Sequence, residues 1–286
     1  MRRFLYLALM VWASAFLFLR ASGVLLEILP TSDVRRLGRA VELATIYRQS
    51  LIERAGALDA SSWIDPKVLA EVTQSPSMLA AEESCLDEAS RGALAIRLGA
   101  LDQAVLSEAS DRDIRNLLAA ADQAVKRRLR CSPTDGNAWL LRAQILVEQG
   151  GDMTNLGRFL DLSYFYAPAE KWIMIPRLRL AGTLIDAGRI SLPAQYGLDL
   201  ERVIQLSEPS DIAALYVEGG EKSRRLMRTV IDQQRLDRRV RILRTIDALG
   251  VSYPVAVACQ PPVLNGPPGA ELELRRPADL VAACAK

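Results

Sequence analysis

The chain has 286 residues and half of them are apolar, enough to bury a sizeable core in one large domain or two small ones. A net charge of only +2 argues against a dedicated nucleic-acid binder, and histidine is absent altogether. Its absence removes the commonest general base, the commonest metal ligand and the side chain that titrates near neutrality.

Residues 1–26 open with Met1, Arg2 and Arg3, run through 16 uncharged residues (4–19), meet Arg20, and continue apolar to Leu26. Helix over 4–19 would span about 24 Å and over 4–26 about 34 Å, so the longer stretch crosses a bilayer of about 30 Å if Arg20 snorkels. The stretch predicts a signal anchor; a cleaved signal peptide ending near Ala21-Ser22-Gly23 is the alternative. With Arg2 and Arg3 in the cytoplasm the bulk of the chain is exported in either case, although Arg20, Arg35, Arg36 and Arg39 lie on the other side. Residues 27–84 then form a juxtamembrane section. A long helix is predicted over 32–57, capped by Thr31, Ser32 or Asp33, with Leu37, Val41, Leu43, Ala44, Tyr47, Leu51 and Ile52 as its apolar stripe. Residues 58–82 read as an irregular connector with one short helix near 67–72.

Two helices, 85–106 and 111–130, come next, and their antiparallel pairing puts Cys85 and Cys131 at one end of a hairpin. In an oxidising compartment this predicts a disulfide, the alternative being two buried thiols. From 131 to 187 a pattern repeats. Pro133 with Trp139 is followed by Pro168 with Trp172, a period of 35 residues by the prolines and 33 by the tryptophans. Trp139, Leu140, Ala143, Ile145, Leu146 and Val147 gather on one helical side, and Leu156, Phe159, Leu160, Leu162, Ser163 and Tyr166 on another, separated by Gly150-Gly151-Asp152. Neither helix can bury its stripe alone, so the period predicts stacked hairpins.

This segment resembles the tetratricopeptide repeat over roughly residues 87–187. Trp139 stands at that motif's early aromatic, Ala143 at its small residue and Pro168 at its terminal proline, while Ala121 and Val125 match the preceding second helix. Leu156 and Ser163 depart from it by replacing small alanines, and the 150–152 turn carries one extra residue. The resemblance implies a repeat core of Trp139, Ala143, Leu156, Leu160, Pro168 and Trp172. The runs P-x-D-G-x-A-W-L and S-Y-x-x-A-P-x-E-x-W are also similar to membrane-anchored helical-repeat proteins found with exopolysaccharide or capsule assembly systems of Gram-negative bacteria. That likeness implies polymerase, transporter or co-polymerase partners.

Beyond Gly188 short helices are predicted over 193–206 and 210–218, then one long helix over 221–249. Nine basic residues fall between 222 and 244 against Glu221, Asp232 and Asp237, a local charge of +6. Lys222, Arg224, Arg225, Arg228, Arg235, Arg238 and Arg239 are the candidate face for an acidic polysaccharide, lipid head groups or an acidic protein; a solvated helix face is the plainer reading. Residues 251–286 turn proline-rich and partly extended, with Cys259 and Cys284 placed for a second disulfide.

Candidate chemistry is sparse. Gly150-Gly151 and Gly219-Gly220 lack the spacing and lysine of a phosphate loop, the four cysteines lack zinc spacing, and no Ser-His-Asp set can exist. Only carboxylates remain: Glu82, Glu83, Asp87 and Glu88 near a helix start, and Glu170 beside Trp172, Tyr164 and Tyr166, a grouping a glycan-processing enzyme could use. Acids in first helical turns and aromatics at helical spacing have structural explanations as good. The expectation is an all-α protein: an N-terminal transmembrane helix (1–26), a juxtamembrane section (27–84), a TPR-like α-solenoid of hairpins (85–250) and a short Pro-rich tail (251–286). Its expected role is a single-pass inner-membrane scaffold with its bulk in the periplasm, binding other envelope proteins in exopolysaccharide or envelope assembly, without catalytic residues, metal or cofactor. A general periplasmic assembly factor and a glycan-processing enzyme are the alternatives.

Overall fold

The computed structural model describes residues 31–42 and 65–251, then Tyr253, Val255–Ala256 and Glu271–Leu272. The expected membrane segment and the Cys259–Cys284 pair lie outside the described residues. Among the described residues the fold is all-α, and no helix is long and apolar enough to cross a membrane. The chain divides into two compact units, Met1–Thr134 and Asp135–Lys286.

The first unit contains α1 (32–42), α2 (Pro66–Thr73), α3 (Pro76–Glu83), α4 (Asp87–Leu106) and α5 (Asp111–Cys131). The described part of the connector thus holds two short helices where one was expected. Asp65 accepts from the Lys67 amide at 2.9 Å and Ser75 from the Met78 amide at 3.2 Å, each followed by proline in the first turn. Asp65-Pro66 and Ser75-Pro76 read as breaks but are helix starts, because proline loses nothing where its missing N–H would be unpaired.

Val34 and Val41 of α1 are buried with Leu69, Met78, Ala81, Ala89, Ala93 and Ile96. The approach of α1 to α4 is close enough to need glycine on both helices. A Cβ on Gly38 would collide with the Gly92 backbone, and one on Gly92 would fall 2.9 Å from the Val34 carbonyl oxygen. Ion pairs flank the crossing: Arg91 grips Glu42 with Nε at 2.8 Å and Nη2 at 3.2 Å, and Glu88 receives Arg39 at 3.4 Å. Helices α4 and α5 form the antiparallel hairpin, and the Cys85–Cys131 disulfide closes it with Cα atoms 5.2 Å apart. A link across a sequence separation of 46 contributes about 4 kcal/mol if it acts by constraining the unfolded chain.

The second unit contains α6 (Gly136–Glu148), α7 (Met153–Tyr166), α8 (Lys171–Asp186), α9 (Ala194–Leu206), α10 (Pro209–Glu218), α11 (Glu221–Asp232) and α12 (Leu236–Ala248). Asp135 and Asp152 cap α6 and α7 through the Ala138 and Thr154 amides, and Gly150 turns between them at φ +65°. These two helices and α8 enclose Leu140, Ala143, Leu156, Leu160, Tyr164, Ile173 and Leu184. A stack of hairpins confines each hairpin to contacts with the hairpins beside it. The contacts of α8 keep to that rule, reaching α6 of the preceding pair, its own partner α9, and α10 and α11 of the next pair, while α10 packs on α12, so that a second core is enclosed from α8 onward.

The single helix expected over 221–249 is broken at 233–235, where Arg235 takes an extended backbone before α12. Buried Met227, Ile231, Ile242 and Ile246 keep helical phase across the break, which concealed it in the sequence. After α12 Tyr253 is buried and packs on Tyr216, ring centroids 5.3 Å apart, and Val255 and Ala256 pair antiparallel with Leu272 and Glu271.

Gly38→Ala should force α1 away from α4 at a cost of about 1–3 kcal/mol. Hydrogen exchange should then rise across 32–42 while the α4–α5 hairpin stays protected; unchanged protection of 32–42 would refute the crossing.

Candidate functional site

A helix ends with carbonyl groups that have no intrahelical partner and carry a partial negative charge. In the second unit, side chains from other helices answer these ends. Arg177 of α8 is fully buried beneath the end of α7. Its Nη1 donates to the Ser163 carbonyl at 2.9 Å, the Ser163 hydroxyl at 3.2 Å and the Ala167 carbonyl at 3.2 Å, and its Nη2 donates to Ala167 at 3.1 Å. Nε and Nη2 also donate to Asp199 Oδ2 of α9 at 2.8 and 2.6 Å, and the guanidinium lies 4.1 Å from the Tyr164 ring centroid. One side chain therefore joins three helices. Burial, with Asp199 adding to it, pushes the Tyr164 phenol well above its ordinary range.

The same device recurs through the bundle. Lys222 Nζ donates to the Ile185 carbonyl at the end of α8, at 3.2 Å. Arg224 donates to the Tyr216 and Val217 carbonyls at the end of α10, at 2.9 and 2.7 Å. Arg238 reaches Ile204 and Ser207 at the end of α9, both at 2.7 Å, and Arg239 reaches Asp232 at the end of α11, at 3.1 Å. Arg202 donates to the Pro168 carbonyl beyond α7. Asp186, at the end of α8, works with the opposite sign on the start of α11. It accepts from the amides of Gly220, Lys222 and Ser223 at 2.8, 2.8 and 3.0 Å and from the Ser223 hydroxyl.

The seven residues proposed as a face for an anionic partner are therefore divided. Lys222, Arg224, Arg238 and Arg239 hold helix ends, and Arg228 pairs with Glu221 at 2.8 Å. Arg225 and Arg235 stand out in solvent with long ion pairs of 3.9 and 3.7 Å. The proposed repeat core also divides: Ala143, Leu156 and Leu160 are buried, Trp139 is half-buried against Phe159, and Pro168 and Trp172 are exposed. The buried position in each repeat is the residue after the tryptophan, Leu140 in α6 and Ile173 in α8, so the register of the motif is shifted by one.

The carboxylates of the first unit answer arginines. Glu82 is buried between Arg97 Nε, at 2.7 Å, and the Arg127 guanidinium, and Arg128 joins Asp87 to the Ser90 hydroxyl. The Glu170 grouping does not converge: Tyr164 is sealed under Arg177, while Glu170 and Trp172 face solvent. Among the described residues no three acidic or cysteine side chains are gathered as metal ligands.

Sequence reasoning missed Arg177, Asp199, Asp186 and Ser223. A signal existed for the first, since Arg177 sits in helical phase with Met174, Leu178 and Ala181, where only a fully paired charge is tolerated. Among the described residues the fold is thus helical, and Arg177, Asp199, Asp186, Lys222, Arg224, Arg238 and Arg239 serve it structurally. Set against family models, curated proteins and solved structures, the chain matches none.

Arg177→Ala should cost about 3–5 kcal/mol by stranding Asp199 and two helix-end carbonyls. Denaturant unfolding should show Arg177→Met with Asp199→Leu losing less than the single variant; equal losses would mean that the pair is not the source. The hydrogen bonds on Asp186 outweigh its burial and hold its carboxyl below the ordinary 3.8. Its contribution to stability is thus complete above that value and is lost as pH falls through the lower, folded one. Asp186→Asn should therefore flatten the acid limb of a melting-temperature profile below about pH 5, with a cap loss of about 1 kcal/mol at neutral pH.

Proposed function

We propose that this chain is a membrane-anchored scaffold of the bacterial periplasm, a rigid helical platform that holds other envelope proteins together. The observation that carries the reading is the Cys85–Cys131 bridge. Structural disulfides persist in oxidising compartments and are rare in a reducing cytosol. The apolar, arginine-led stretch of residues 1–26 supplies the anchor and the direction of export. Placement in exopolysaccharide or capsule assembly rests on the similarity carried by residues 133–140 and 163–172. Those two runs form the start of α6 and the junction between α7 and α8.

A scaffold needs rigidity and open surface more than a reacting group. Rigidity comes from the staples at helix ends. Surface for contacts comes from the outer faces, where Phe165 and Trp172 remain 74% and 60% exposed on either side of a turn pinned through its Ala167 and Pro168 carbonyls. Exposed aromatic side chains on a rigid support are strong anchors for partners.

The test is made in cells. Thiol alkylation before and after reduction should find Cys85 and Cys131 protected until reductant is added, and a C-terminal alkaline phosphatase fusion should be active. Thiols that react at once, with an inactive phosphatase, would reject the periplasmic scaffold. Crosslinking from native membranes should recover polymerase, transporter or co-polymerase proteins if the polysaccharide setting is right, and unrelated envelope proteins if it is not.

A further inference from the structure

On the outer side of α12 a hollow of about 780 Å³ opens to solvent, lined by Arg235, Leu236, Asp237, Val240, Arg241 and Arg244. Leu236, Asp237, Val240, Arg241 and Arg244 share one face of α12, away from the buried Ile242 and Ile246, and Arg235 joins them from the residue that precedes the helix. Charge is distributed unevenly along the helix. Arg238 and Arg239 hold the ends of α9 and α11, whereas among the described residues Arg235 and Arg241 pair only with the carboxylate of Asp237, each at 3.7 Å, and their side chains are 91% and 61% exposed. Three guanidinium groups thus surround a hollow that contains one carboxylate. Between them lie Leu236, 51% exposed, and the half-buried Val240.

We propose that this hollow binds a segment of a partner protein in which an aliphatic side chain is flanked by carboxylates, the aliphatic group resting on Leu236 and Val240 and the acids meeting Arg235, Arg241 and Arg244. The proposal deepens the scaffold reading and rests on it for its biological setting. Charge complementarity calls for an anionic occupant, and the aliphatic floor selects among anions. A sugar ring stacks on aromatic faces, and among the described residues that line the hollow there is none. A lipid surface asks only for protruding cationic groups, whereas the aliphatic floor between these arginines receives a side chain from a partner. Guanidinium forks match carboxylates in pairs and give such a contact direction as well as attraction.

The experiment uses the full-length protein in detergent and a fluorescein-labelled peptide, Glu-Leu-Glu-Glu-Leu-Glu, followed by anisotropy. Saturable binding that weakens as salt is raised is expected, with a loss of about tenfold or more in Arg235→Glu with Arg244→Glu. A peptide with lysine in place of glutamate should bind that variant and not the parent. Leu236→Ser should weaken the acidic peptide while circular dichroism stays unchanged. No saturable binding by the parent protein, or equal binding by parent and variants, overturns the proposal. So does competition by a uronate oligosaccharide or by phosphatidylglycerol mixed into the detergent micelles that matches the unlabelled peptide and ignores Leu236→Ser, which would assign the hollow to a glycan or a lipid. Peptide binding together with freely reactive Cys85 and Cys131 would keep this site and remove the periplasmic scaffold; an intact bridge without peptide binding would do the reverse.

Discussion

The Arg177 guanidinium has no contact with water, and every feature around it follows from that. A buried cation is tolerated only when countercharge and acceptors surround it, so Asp199 must come from α9, two carbonyls from the end of α7, and a ring face from Tyr164. Those demands fix where α7 stops, how α9 crosses α8, and which side of Tyr164 is turned inward. The rest of the second unit extends the same requirement. It is built from helices of 10 to 16 residues, and every helix of that length has two ends to satisfy within a few turns. Supplying each end from its own flanking residues is one solution; Asp135 and Asp152 use it for helix starts. Supplying it from a neighbouring helix is another, and it makes the cap a tertiary contact.

This solution suits arginine. The chain carries 31 arginines and five lysines, an imbalance that genome composition could explain. In the bundle the guanidinium does what an ammonium group does poorly: Arg224 and Arg238 each bridge two carbonyls with donors held in one plane, and Arg177 serves two carbonyls and a carboxylate together. In the first unit arginine performs a related task without helix ends. Arg97 and Arg127 close on Glu82, and Arg128 ties α5 to Asp87 and Ser90, close to the disulfide that joins the same helices. Covalent and ionic links converge on one end of the α4–α5 hairpin, while α1 is held at its crossing by glycine contact and exposed ion pairs.

What the sequence revealed and what it hid follow from the range of the interactions involved. Helix identity was legible because apolar spacing and local caps act over three or four residues. The disulfide was legible because two helices of similar length in a hairpin must bring their outer ends together. The break at 233–235 was hidden because the apolar phase of Met227, Ile231, Ile242 and Ile246 continues across it. The tryptophan register misled because Trp139 and Trp172 mark the period while Leu140 and Ile173 occupy the core. The basic run of 222–244 looked like a surface because nothing local identifies carbonyls 31 to 37 residues earlier as the partners of Lys222 and Arg238.

Stacked helix pairs held in this way are linked by side chains at helix ends as well as by apolar contact. In a stack each helix hairpin stabilises only its neighbours, so one end can fray while the other persists. Here α8 touches α6, α9, α10 and α11, and Arg177 in its middle and Asp186 at its end hold α7, α9 and α11. Loss of α8 removes the countercharge, the cap and the core wall of several helices at once, which makes the unit cooperative. Cooperativity of this kind restricts where function can reside. A charge that holds a helix end cannot turn to a partner without leaving a buried carbonyl unsatisfied, so the basic residues able to bind anything are those with weak partners of their own. On α12 that criterion separates Arg235, Arg241 and Arg244 from Arg238 and Arg239, residues alike in chemistry and distinguished only by what the fold already asks of them.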